Sequence, residues 1–196
     1  PDPAQALAVN VRGARHAADL AARVAGGRLL HVSTAFVVGQ REGRVPESLV
    51  PGQSPTGAWF DPDAETEALA ALCEAHALPS ERLRAARERA LALGWPNVYT
   101  YTKGLAEHLV GRRGDVDAVF ARPAIVESAR RTPFPGYVEG INTSSPIVWM
   151  LSGWLRALPA VGDVHLDVVP VDTTPRGLAL LLARHLGGDE PRVAHL

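Results

Sequence analysis

The sequence predicts an α/β fold, a parallel sheet with helices layered against it, and three observations carry that expectation. Short apolar runs rich in β-branched residues recur at "RLLHVSTAFVVG" (28–39), "VDAVFARPAIV" (116–126) and "HLDVVPV" (165–171). Such runs read as buried parallel strands. Stretches with helical periodicity lie between them. The two kinds alternate along the chain, as crossover helices between parallel strands require.

The first element, residues 4–25, sets Leu7, Val11, Ala14, Ala18 and Ala21 on one face of an amphipathic helix that Gly26 and Gly27 end. The strand at 28–39 follows. Residues 40–60 carry Gly and Pro repeatedly and read as a long loop. Helices are expected at about 62–77 and 80–93, with Asp61 or Asp63 capping the first and Ser80 the second. A helix at about 98–112 and the strand at 116–126, ending near Pro123, come next. The segment "TPFPGYVEG" (132–140) reads as loop and "SPIVWMLSGWLRAL" (145–158) as a strongly apolar helix. The strand at 165–171 leads through Asp172, Thr173 and Thr174, read as a cap, into a helix at 174–186 with Pro175 in its first turn. "RVAHL" is a last short strand. No strand runs into a glycine turn of the G-x-G-x-x-G kind, and the first residues enter a helix directly, so the sequence reads as the later part of a larger chain.

A chain of 196 residues suffices for one globular domain with a sizeable core. No apolar run approaches the ~20 residues that span a bilayer, and no signal-peptide pattern opens the sequence. A net charge of −1 with scattered arginines shows neither a nucleic-acid stripe nor a basic membrane patch. Cys73 stands alone, which excludes an internal disulfide and fits a reducing compartment, with the cytoplasm as the default. The seven histidines show no HExxH or paired spacing, so no metal site is expected. His31 reads as packing at a strand start, and Glu74 and His76 as solvated.

Chemistry concentrates in "PNVYTYTKGLAEHLV" (96–110). This stretch holds two of the three tyrosines and, among 20 basic residues, the chain's one lysine. On a helix Tyr99 and Lys103 are neighbours on one face, while Tyr101 points elsewhere. An ammonium beside a phenol favours the phenolate, which suits a tyrosine that exchanges a proton with a carbonyl oxygen. The alternative is a surface i,i+4 pair. Upstream, Ser33 and Thr34 stand at the C-terminal end of an apolar strand, the edge where open parallel sheets bind ligands. Their hydroxyls suit a substrate carbonyl; satisfying backbone groups at a strand end is the other reading.

"NVRGA" (10–14), "HVSTAFVVG", "YTYTK" and "RPAIV" (122–126) resemble, in order and spacing, the extended short-chain dehydrogenases/reductases. "PNVYTYTKGLAEHLV", "ARPAIVESARRTPFPGYVEGINTSSPIVW" and "DVVPVD" look like the reductase domain of fatty acyl-CoA reductases, the group that also contains male-sterility-type proteins. The resemblance covers nearly the whole chain. It implies a Rossmann-like parallel sheet with helices on both faces whose N-terminal βαβ dinucleotide-binding part is missing here. Residues 1–126 would be the later half of that domain, with an inserted loop and helical segment at about 40–95. Residues 127–196 would be a substrate-side loop and helix plus the last sheet elements of the same domain.

The resemblance further implies Tyr99 as proton donor, Lys103 as its neighbour and ribose ligand, and Thr34 as the catalytic hydroxyl, with Ser33 as fallback. Pro123, Ala124, Ile125 and Val126 would lie along the nicotinamide. Asn10 is read as a helix-positioning residue over a proton-relay member, and Arg122 as structural or cofactor-edge. An apolar trough for the acyl chain could draw its wall from Phe134, Tyr137, Ile147, Trp149, Met150 and Trp154, with core packing of the 145–158 helix as the competing reading. The implied activity is reduction of a fatty acyl-CoA or carrier-bound acyl thioester to aldehyde and on to alcohol. NADPH is the implied cofactor; NADH stays open because no residue here decides. A sugar-nucleotide enzyme of the same superfamily and a non-catalytic binding module are the alternatives.

Overall fold

The computed structural model describes residues 1–24, 26–41, 43–140, 145–153, 157, 166–188 and 191–196. The helices are α1 (Pro3–Ala6), which runs through a π-helical segment (Leu7–Arg12) into α2 (Gly13–Ala22), then α3 (Pro62–Ala75), α4 (Pro79–Ala92), α5 (Val98–Gly111), α6 (Ser145–Ser152) and α7 (Thr174–Leu186). The strands are β1 (Arg28–Val32), β2 (Asp117–Arg122), β3 (Ile125–Glu127), β4 (Val168–Pro170) and β5 (Val193–His195). They form a parallel sheet in the order β1-β2-β5 and a parallel pair, β3-β4.

Alternation along β2 sets the layers. Ala118 and Phe120 point to one face, where Ala14 and Ala18 of α2 and Ala106 and Val110 of α5 cover them. Val119 and Ala121 point to the other, against Leu178 and Leu181 of α7. A further cluster lies on the outer side of α5, where Leu69, Ala86, Ala90, Trp95, Tyr101 and Leu105 pack together. The 40–95 segment therefore covers α5 from outside, and α5 is buried on most of its faces.

Several boundaries differ from the expectations. The first helix is one rod interrupted by the π-helical segment, yet Leu7, Val11, Ala14, Ala18 and Ala21 all reach the core. The first strand ends at Val32; Thr34 caps a 3-10 turn (Ala35–Val38) instead of continuing it. The strand in 116–126 does end at Pro123, which lacks the N–H a ladder needs, but the chain resumes at once as β3 in the other sheet. Ser80 is not a cap: Pro79 opens α4 behind Leu78, which makes no side-chain cap bond. Asp61 does cap α3, accepting from the Asp63 N–H at 3.0 Å. The last predicted strands shorten to Val168–Pro170 and Val193–His195. Among the described residues no helix is long and apolar enough to cross a membrane.

Two histidines are built into this core. His31 packs edge-on against Phe120, with ring centres 5.7 Å apart. His108 lies edge-on to Phe60 and accepts the Gly52 N–H on Nδ1 at 3.1 Å. Burial, assisted by Lys103 at His31 and by Arg122 at His108, pulls both down to about 4. The unfolded chain takes up these protons near pH 6.5, the folded chain only near 4. Stability is therefore full above about pH 6.5 and falls as the pH drops towards 4. Urea unfolding at pH 7.5 and pH 5 is expected to differ by about 2–4 kcal/mol, and an unchanged midpoint would contradict the buried neutral state.

Trp95 fixes a second point. It is fully buried, its Nε1 donates to the Val37 carbonyl at 2.7 Å, and its ring lies on Gly104. A Cβ at 104 would meet three ring atoms at 2.8 Å. Gly104→Ala is expected to lower stability by about 2 kcal/mol despite the better helix propensity of alanine, as urea unfolding would report.

Candidate active site

Helix α5 positions the site. Asn97 caps it, its side chain accepting the Thr100 N–H at 2.9 Å. Asn10, in the π-helical segment, donates from Nδ2 to the Thr102 hydroxyl at 2.9 Å, and that hydroxyl donates to the Val98 carbonyl at 2.8 Å. These bonds fix how α5 is turned about its axis. Asn10 thus does what a helix-positioning residue does. Lys103 then reaches the tip of β1, donating to the Val32 carbonyl at 2.7 Å. Burial pulls its ammonium below the usual lysine range, and the Glu107 charge opposes that pull. One turn earlier on the same face, Tyr99 is 43% exposed.

Tyr101 has the opposite fate. Its ring is fully buried and its hydroxyl donates to Glu65, which Arg89 grips through Nε and Nη2 at 2.6 Å each. Burial, followed by the Glu65 bond and charge, pushes this phenol up, out of reach of proton exchange. Two tyrosines two residues apart are therefore divided: one anchors the helix and one meets solvent.

The strand tips supply the hydroxyls. Ser33 continues the β1 edge, donating its N–H to the Ala121 carbonyl at 2.7 Å, and Ala35 donates to the Pro123 carbonyl at 2.8 Å. Thr34 between them is 5% exposed. Its hydroxyl accepts the Phe36 N–H at 3.4 Å and donates to the Pro123 carbonyl at 3.5 Å, two long contacts that are cheaply exchanged. Ser33 Oγ is buried and has no partner among the described residues. Ala124 donates to the Leu196 carbonyl at 2.8 Å, and Ile125 and Val126 enter β3. The structure thus gathers Lys103, Ser33, Thr34 and Pro123 at the C-terminal ends of β1 and β2, with Tyr99 one turn away.

The substrate-side residues are less gathered. Phe134 and Tyr137 stack edge to face at 5.4 Å in the 128–140 loop. Trp149 is 72% exposed and Met150 is half-buried, so core packing does not describe this face of α6. The side chain of Ile147, and Trp154 entirely, lie outside the described residues. Asp172 differs from its expected role. It does not cap α7; its carboxylate accepts the N–H groups of Arg130, Arg131 and Thr132 at 2.9, 2.9 and 3.1 Å, tying the loop to the end of β4. Those amides hold its carboxyl below the usual range.

Sequence reasoning missed Glu107. It is 1% exposed and paired with Arg122, which is 3% exposed, through contacts of 3.0 and 2.6 Å. The signal was present: a carboxylate within "GLAEHLV" and a guanidinium within "VFARP" each interrupt a buried apolar run, and buried charges need partners. Arg122, read from the sequence as structural or cofactor-edge, here grips a buried carboxylate.

Comparisons with known proteins give the family. The chain is 30% identical over 196 residues to probable fatty acyl-CoA reductase 5 of Arabidopsis thaliana, covering 93% of the chain and 40% of the relative. It is 31% identical over 192 residues to an alcohol-forming fatty acyl-CoA reductase of Simmondsia chinensis, covering 91% and 39%. Human fatty acyl-CoA reductase 2 is 42% identical over 81 residues, covering 40% and 16%. The chain spans about two-fifths of the length of the two plant relatives. An NAD-binding family model described as male sterility protein matches residues 2–177, a stretch that takes in both strand tips, all of α5 and the Asp172 loop, and the chain belongs to that family.

Proposed function

We propose that this chain carries the proton-donating and substrate-side part of a reductase that uses NADPH to reduce fatty acyl thioesters, with acyl-CoA as the substrate. The gathering of Lys103, Thr34 and Ser33 at the strand tips, with the Tyr99 phenol one turn away, carries the reading. The relatives' names supply the substrate class.

The residues fit a nicotinamide dinucleotide. Lys103 uses one of three N–H donors on the Val32 carbonyl, which leaves two for ribose hydroxyls. Ser33 adds a buried hydroxyl without a partner, and Pro123 to Val126 provide backbone beside it. When bound, the cofactor supplies hydride. Thr34 turns its hydroxyl from the Pro123 carbonyl to the substrate oxygen, and Tyr99 gives that oxygen its proton as negative charge develops. Lys103 stands one helical turn from the oxygen that remains. Hydride and proton together give a hemithioacetal, whose C–S bond breaks to release thiol and aldehyde. A second hydride and proton give the alcohol. Phe134, Tyr137, Trp149 and Met150 offer apolar surface to the acyl chain.

The test is the full-length protein with palmitoyl-CoA, a carrier-bound acyl chain and a UDP-sugar, each with NADPH and with NADH. Oxidation of NADPH by the acyl-CoA is expected; no oxidation with either thioester overturns the reading. Tyr99→Phe is expected to lower kcat at least ~100-fold while dinucleotide affinity stays within about threefold. Lys103→Arg is expected to slow turnover too, because a planar guanidinium meets ribose and phenol differently. Tyr101→Phe is the contrast: it is expected to cost about 1–2 kcal/mol of stability and to keep kcat within a few-fold.

A further inference from the structure

Glu107 stands one helical turn beyond Lys103 on the sheet-facing side of α5. Its two oxygens receive Arg122 Nε at 3.0 Å and Nη2 at 2.6 Å, and Arg122 Nη1 donates to the Ser48 carbonyl at 3.2 Å. Arg122 is the last residue of β2 and immediately precedes Pro123, whose carbonyl meets Thr34. One buried fork therefore joins the helix of Tyr99 and Lys103 to the strand tip that borders Thr34. The Lys103 bond to Val32 joins the same helix to the neighbouring tip. A buried ion pair contributes little net stability compared with apolar residues of the same volume. What it adds here is placement and charge.

We propose that Glu107 and Arg122 are a positioning pair for Lys103: the fork sets the height of α5 against the tip of β2, and it places the Glu107 carboxylate one turn from the ammonium that reaches the tip of β1. The kinetic side of this inference rests on the reductase reading; the electrostatic side does not. The charged and titratable groups around Lys103 are Glu107, one turn on along α5, Tyr99, one turn back, and His31 from β1, with Arg122 from β2 bonded to Glu107. His195, from β5, and Glu47, which accepts the His195 N–H at 2.6 Å, flank the pair from the far side. His31 is neutral at working pH, so its ring does not offset the Lys103 charge.

The experiment titrates Lys103 in the full-length protein after reductive methylation with carbon-13 formaldehyde, its NMR signal assigned by loss in Lys103→Arg. Glu107→Gln is expected to lower the Lys103 midpoint by about one pH unit. The alkaline limb of kcat should move the same way, with KM for acyl-CoA within about twofold. The paired variant Glu107→Leu with Arg122→Met removes both charges and keeps the volume, so it guards against a single variant that fails to fold. Its midpoint should fall in the same direction by a smaller amount, because the guanidinium lies beyond the carboxylate as seen from Lys103. An unmoved midpoint in the folded variants overturns the inference, whatever happens to stability. A midpoint that moves in a protein without acyl-CoA turnover upholds the inference and removes the reductase reading.

Discussion

Helix α5 is enclosed between the sheet and the α3–α4 pair, and every polar side chain on an enclosed helix must find a partner or carry a large desolvation cost. Four of its side chains meet that demand in four directions. Tyr101 goes outward to Glu65, Lys103 to the end of β1, Glu107 to the end of β2, and His108 to the Gly52 backbone. Each bond removes one way in which the helix could slide or roll. Thr102, held by Asn10, removes another. The placement of Tyr99 is the outcome of these anchors, because it makes no comparable tie of its own and is held only by the rod beneath it.

The same enclosure explains how strand tips become a site. In a parallel sheet the C-terminal edges of neighbouring strands end together, and here β1 and β2 end within two residues of Thr34 and Pro123. Pro123 lacks an N–H, so the ladder stops and the chain crosses to β3 in the other sheet. The Pro123 carbonyl still accepts the Ala35 N–H, two residues on from the Ser33–Ala121 bond, and receives the Thr34 hydroxyl as well. On the far side Asp172 gathers three successive amides of the 128–140 loop and so sets where Phe134 and Tyr137 stand.

Much of this was legible in the sequence, for a physical reason in each case. The apolar face of the first helix, from Leu7 to Ala21, follows from periodicity, and the π-helical segment shifts it without moving a residue out of the core. Tyr99 and Lys103 were legible because i,i+4 spacing on a helix is geometry. The β1 boundary was not: "STAFVV" has strand-like composition, and the turn at Ala35 comes from the Thr34 cap and Gly39, whose φ of 75° only glycine holds comfortably. The end of β2 at Pro123 was legible, because proline brings no N–H to a ladder, whereas the resumption as β3 in another sheet was not. The partners of Tyr101, Glu107 and Asp172 lie 36, 15 and about 40 residues away, and no local pattern names a partner at that range.

The one lysine can now be set beside the arginines. Arg89 and Arg122 each face a buried carboxylate, and the planar guanidinium matches both oxygens at once. Lys103 faces a single carbonyl oxygen, for which a fork has no second acceptor. A guanidinium in that half-buried place would bring five donors where the strand tip offers one oxygen. An ammonium brings three, and one of them meets Val32. It is also the basic group that burial can bring down from its usual range, which Glu107 counters from one turn away. Arginine would end the same chain position with a charge that its surroundings cannot adjust.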